Sequence, residues 1–155
     1  MAATSTNKQP LLVDRVLHYV VNTDTAAAAA IDIAGTNTAI ALIDATQSDG
    51  CIVESVYAIA RGTTPHTINL YISSSSDYLR PAEGIYIGGF AAATTAGDVT
   101  NWESMPKILA PMPQTGTDSQ FRALYIPKGK VLWVARQATT AATDGPIVGC
   151  QGGWY

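Results

Sequence analysis

Hydrophobic and polar positions in the middle of this chain alternate with a period of two. Thr67 to Ser73 is the clearest run, with Ile68, Leu70 and Ile72 on one face and Asn69, Tyr71 and Ser73 on the other. Such alternation predicts an antiparallel strand with its apolar face on a core. Upstream, Val53 to Arg61 places Val56, Ala58 and Ala60 on one face and Tyr57 and Ile59 on the other. Downstream, Ile85 to Phe90 predicts a third strand. Between these runs lie Gly62 to His66 and a Ser-rich stretch ending at Asp77, both rich in turn formers.

The flanking segments read in the same way. Leu11 to Asn22 predicts a strand with no plainly polar face, since Val16, His18 and Val20 share one side with Asp14, and Leu17, Tyr19 and Val21 share the other. Thr25 to Ile33 holds five alanines in a row but is too short to sustain a lone helix, so a strand or irregular segment is expected. Thr38 to Asp44 predicts a strand, and Gln47 to Gly50 a turn. Ala91 to Thr100 predicts a loop or weak strand. Trp102 to Pro113 carries prolines at 106, 111 and 113, which confine it to an extended crossing segment. Phe121 to Ile126 and Val131 to Gln137 predict a hairpin about the turn at Pro127 to Lys130, and Pro146 to Tyr155 predicts a closing strand.

No helical period separates these strands, which argues against βαβ units and for a sandwich or barrel. About eight to ten short strands imply an all-β fold, an antiparallel β-sandwich of jelly-roll-like type. At 155 residues the chain predicts one domain over residues 11–155, preceded by a flexible arm over 1–10.

Composition adds a hint of association. Charged residues make up 14% of the chain, against about 25% in ordinary soluble proteins, with Ala, Thr, Ser and Gly in their place. Surfaces this poor in charge tend to be covered by partner subunits, although a general bias toward small residues would look the same. The net charge is −3 and no basic stripe exists, so nucleic acid is not an expected partner. No run approaches the roughly 18 apolar residues of a membrane span, and the opening MAATSTNKQP lacks the pattern of a secretory signal. These features predict a protein made in the cytoplasm of the producing cell, with no membrane partner.

Catalysis requires converging groups, and none are evident. His18 and His66 stand in a strand and a Pro-containing turn, with no nucleophile elbow or metal-binding helix motif nearby. Glu54, Glu83 and Glu103 fall in separate segments. The chain is therefore expected to be non-enzymatic, with no cofactor and no metal site. Cys51 and Cys150 lie in predicted strands; two buried thiols suit a cytoplasmic product better than a disulfide, which stays open. Trp133, between Leu132 and Val134, reads as core. Tyr57, Tyr71 and Tyr86 read as outward-facing, more in keeping with a protein interface than a sugar site.

Three stretches resemble a known family. Val53 to Thr64 followed by Ile68 to Ile72 is a strand, a Gly-Thr-rich turn and a strand. Leu124-Tyr125-Ile126-Pro127-Lys128-Gly129-Lys130-Val131-Leu132-Trp133-Val134 is a hairpin with a Pro-x-Gly turn. Gly149 to Tyr155 ends in Gly-Gly-Trp-Tyr. Together they resemble small virion proteins of tailed bacteriophages. That resemblance implies a capsid decoration (cement) protein on the outer surface of the head, or less often a tail or fibre-tip module that binds a host receptor or glycan. The partners it implies are the major capsid protein and further copies of the chain, a trimer being common among cement proteins. Tyr57 and Ile59 stand where relatives tend to be polar, which suggests an additional buried face. Lys8 and Pro10 in the arm, together with Tyr57, Ile59, Tyr71 and Tyr86, are the expected subunit and partner contacts.

Overall fold

The computed structural model describes residues 15–27, 38–74, 85–103, 105, 123–138 and 143–155. These form β1 (Arg15–Asn22), β2 (Ile40–Asp44), β3 (Gly50–Ile59), β4 (Thr67–Ser73), β5 (Ile85–Ala91), β6 (Val99–Asn101), β7 (Leu124–Pro127), β8 (Val131–Arg136) and β9 (Ile147–Trp154), with no helix among the described residues. Two antiparallel sheets pack face to face, so the expected all-β sandwich stands. Sheet A runs β1-β9-β3-β6, with β7 also on β3; sheet B runs β2-β8-β4-β5. Only the β4–β5 and β6–β7 connections stay within a sheet, and every other connection between these strands crosses the sandwich. The expected hairpin about Pro127 to Lys130 therefore does not form, since β7 pairs with β3 in sheet A and β8 with β2 and β4 in sheet B.

The core between the sheets takes the apolar alternate of each strand. Sheet A contributes Leu17, Cys51, Val53, Val56, Ala58, Leu124, Ile126, Val148 and Cys150, and sheet B contributes Ile68, Leu70, Leu132 and Val134. Alternation in β3 changes phase midway. Val53 and Val56 both point inward because the pairing with β9 slips by one residue between Val53 and Ser55, leaving Glu54 as a bulge. A bulge inserts one unpaired residue and swaps the faces beyond it. The same device occurs in β5, where the register against β4 shifts between Gly88 and Tyr86. Trp102 plugs the core against Gly88, whose φ of 145° and close approach to the indole leave no room for a side chain.

Sheet B departs from the expected half-buried pattern. A second apolar cluster lies on its far side: Ala26, Ala39, Tyr71, Val131, Trp133 and Ala135, with Ile40, Ala41 and Tyr86 packed against it. Part of the cover is the turn at residues 23–27 and the approach to β2. Arg136 N donates to Ala26 O at 3.0 Å and Thr38 N to Ala27 O at 3.0 Å, while Ala27 forms a parallel bridge with Arg136. Hence β8 is buried on both faces along its whole length. The described part of the Thr25–Ile33 segment is a turn ending in that bridge; residues 28–33, the arm at 1–10 and most of Trp102–Pro113 lie outside the described residues.

Candidate protein interface on sheet A

The outward face of sheet A can be read row by row from the pairing registers. Val16, Gly153, Ile52 and Tyr125 form the first row, and His18, Gln151 and Ser55 the second. Val20, Gly149, Tyr57 and Asn101 form the third, and Asn22, Ile147, Ile59 and Val99 the fourth. None of these positions carries a formal charge at neutral pH, and Glu54 stands beside them at the bulge. Val16 is 87% exposed, Val99 58%, Val20 51% and Tyr125 41%. Single exposed apolar residues are ordinary, but here they stand on both sides of the polar row His18, Gln151 and Ser55, on rows with no formal charge, and depletion of charge is what marks the centre of a contact surface.

Tyr57 lies at the centre of this face. Its ring lies over Gly149, where a Cβ would collide with the phenol, and its hydroxyl meets Nε2 of His18 at 2.9 Å. The glycine in the middle of β9 is therefore required by the tyrosine across it, not by a turn. Gly152 is likewise fixed by close approach, of the Ile52 carbonyl next to the bulge.

The expected contact residues divide between the sheets. Tyr57 and Ile59 lie on the sheet A face. Tyr71 does not face solvent: it points away from the inter-sheet core as its alternation requires, but it is fully buried in the second cluster. Tyr86 is half-buried and packs edge-on against it with centroids 5.8 Å apart. Lys8 and Pro10 lie outside the described residues. Val16, Val20, Val99, Ile147 and Tyr125 join Tyr57 and Ile59 on this face and are not among the expected contacts. One signal was present for β1, since a strand apolar on both sides must bury or expose one of them.

A polar network occupies one end of the sandwich. Arg61 Nη1 lies 2.6 Å from Asp24 Oδ2, Gly145 N donates to Asp24 Oδ1 at 2.9 Å, and Asn22 Nδ2 donates to Asp24 Oδ2 at 2.9 Å. The Arg61 hydrogen bond, with help from Asn22 and Gly145, holds the Asp24 carboxyl below its ordinary range. Buried Arg136 donates from Nε to Thr23 O at 3.0 Å. Nearby, His66 Nε2 is 3.5 Å from Asp144 Oδ1, and the Thr64 side chain lowers the Asp144 pKa by hydrogen bonding. These contacts clasp the loops around residues 23–24, 61–66 and 144–146 together, and so hold the cover of sheet B in place.

Cys51 and Cys150 are free, buried thiols, and burial pushes both up to about 12. Cys51 pairs with Trp154, four residues from Cys150 along β9. That offset is about 13 Å, beyond the roughly 7 Å between Cα atoms that a disulfide tolerates.

At the other end of sheet A an open polar depression lies between Arg15, Gln47, Ser48, Asp49, Lys128 and Tyr155. Tyr155, which lines it, packs edge-on against Tyr125 with centroids 5.7 Å apart, so a second partly exposed ring stands behind the first. No group of three or more His, Cys, Asp or Glu that could hold a metal occurs among the described residues, and no described helix is long and apolar enough to cross a membrane. Comparison with known proteins finds no matching family model, no matching curated protein and no matching solved structure.

Proposed function

We propose that this chain is a non-enzymatic structural protein of a tailed-phage virion, a decoration (cement) protein that binds the outer surface of the head and stabilises it. The observation that carries the reading is the broad outer face of sheet A, uncharged in its four rows and set with the exposed Val16, Val20, Val99 and Tyr125, a surface suited to burial in an assembly. The resemblance of the Val53–Ile72, Leu124–Val134 and Gly149–Tyr155 stretches supplies the class of assembly. Its partners in this reading are the major capsid protein and further copies of itself. The action is mechanical. Buried area between neighbouring capsid subunits opposes the outward pressure of packed DNA, and many identical copies add avidity across the shell. The test is co-sedimentation of the purified protein with expanded and unexpanded heads of the phage that encodes it, prepared without it. Saturable binding to expanded heads is expected. Failure to bind heads of either kind retires the reading.

A second reading, a tail or fibre-tip module that binds a host surface glycan, is favoured by the depression beside Tyr125 and Tyr155. Exposed aromatic rings beside hydrogen-bonding side chains suit a sugar, one face of which is apolar. In this case Tyr155→Ala abolishes attachment to host cells and leaves head stability unchanged. Attachment that survives Tyr125→Ala and Tyr155→Ala together removes it.

A further inference from the structure

We infer that the outward face of sheet A pairs with the same face of a second copy of this chain, across a two-fold axis. This deepens the reading of that face as a contact surface and rests on it.

The first argument is charge. A partner of a different kind is usually steered and oriented by complementary charge. The four rows of this face offer none: Val16, Val20, Ile52, Ile59, Val99 and Ile147 surround Tyr57 and the neutral polar groups. The chain as a whole carries −3, so two copies repel weakly wherever charged surfaces meet. The uncharged face is where they can approach without that repulsion.

The second argument is symmetry. An isologous contact sets a patch against itself, so the patch has to be self-complementary. A patch without charge meets this condition, whereas a patch with charge of one sign does not. At its centre the Tyr57 ring lies over Gly149 and is tied to His18, so no side chain of β9 stands up there against a second copy. A ring of three would instead need two different complementary patches.

The third is area. Both β1 and β9 run for eight residues. Four strand positions about 4.8 Å apart, each about 26 Å long, make a face of about 500 Å². Two such faces remove about 1,000 Å² from water, where specific interfaces begin. The expected affinity is therefore modest, and the dimer forms in a concentration-dependent way.

Sedimentation equilibrium of the full chain, over a series reaching ~100 µM, tests this directly, since a micromolar Kd gives mostly dimer there. The expected result is a monomer–dimer equilibrium that the double variant Val16→Asp, Val20→Asp abolishes, with its far-UV spectrum retained. Should that variant fail to fold, Val99→Arg on β6 places a charge in the same face from another strand. Ile85→Asp is the control, 68% exposed but on sheet B, and it leaves the dimer intact. A wild-type chain that stays monomeric throughout overturns the proposal. So does a dimer that survives both charged variants of sheet A, or one lost in Ile85→Asp. Head binding is scored separately. Dimerisation without it supports this inference and removes the virion reading; head binding by a strictly monomeric chain does the reverse.

Discussion

The two sheets of this sandwich treat their outer faces in opposite ways. Sheet B carries a second small core there: Trp133 and Tyr71 are fully buried, and the chain on either side of its Ala-rich segment lies against them. Sheet A leaves its outer face bare among the described residues, with valines and tyrosines where a solvated strand would place charges. Covering one face and leaving the other open teaches that apolar side chains on an outer face are not in themselves a functional signal. On sheet B they are consumed within the chain; on sheet A nothing described consumes them.

The largest effect should come from breaking the covered side. Trp133→Ala removes the biggest side chain of the second cluster and is expected to cost about 3–5 kcal/mol in urea unfolding. Val20→Ser, on the bare side, should stay within about 0.5 kcal/mol under conditions where the chain is monomeric. Similar small losses for both would mean that the second cluster is not a core, and the contrast would fail.

Next in size is the glycine that lets Tyr57 lie flat. Gly149→Ala puts a methyl group into the ring and should cost about 1–3 kcal/mol, as overpacking does. Tyr57→Ala should relieve most of that, giving a favourable coupling in a double-mutant cycle. Additive losses would show that the backbone, not the tyrosine, requires this glycine. Gly152→Ala should be worse than Gly149→Ala, because its obstacle is the Ile52 carbonyl and backbone cannot rotate aside.

The strands themselves were legible because alternation is local. Thr67–Ser73 has the bounds its pattern predicts, and Val56, Ala58 and Ala60 are buried on the face expected of them. Three things were not legible. A bulge such as that at Glu54 is written in no single residue, since it depends on which strand lies alongside. Strand order is equally non-local: β9, the last strand, lies between β1 and β3. Finally, alternation tells which way Tyr71 points but not what lies over it. For that reason Tyr71 was expected at a surface and belongs to a core, while Tyr57, read by the same rule, stays half-exposed over Gly149. The apolar character of both faces of β1 was visible in the sequence; that its outward side adjoins Ile52, Ile59 and Val99 required the register.

The inter-sheet core offers an alkaline test that neither outer face should influence. The Cys51 and Cys150 thiols are raised from about 9 in the unfolded chain to about 12 in the folded one. Between those values the unfolded chain releases protons that the folded chain retains, so stability falls as pH rises through that window. Native protein should react with a disulfide reagent only as fast as it unfolds. Rapid modification of either thiol in the folded state would contradict its burial.

The smallest effect concerns the clasp that holds the cover on sheet B. Asp24 has its pKa depressed by the Arg61 hydrogen bond, so its stabilising contribution is fully present above the ordinary carboxylate value of 3.8. It fades as pH falls through the lower folded value, because the carboxyl must then take up a proton to no advantage. The group lies at the surface and the pair is screened, so the change is slight and weakens further with salt. Where the change occurs is more telling than its size. The turn at residues 23–27 should gain hydrogen exchange first on acidification, ahead of β3 and β9, since Arg136 and Gly145 still grip the turn only through its backbone and the other Asp24 oxygen. Asp24→Asn should remove that early step while leaving the rest of the acid profile in place. If the Asn variant and the parent lose protection at residues 23–27 at the same pH, the cover of sheet B is held by packing on Trp133 and Tyr71 alone, and the polar end of the sandwich is incidental to it.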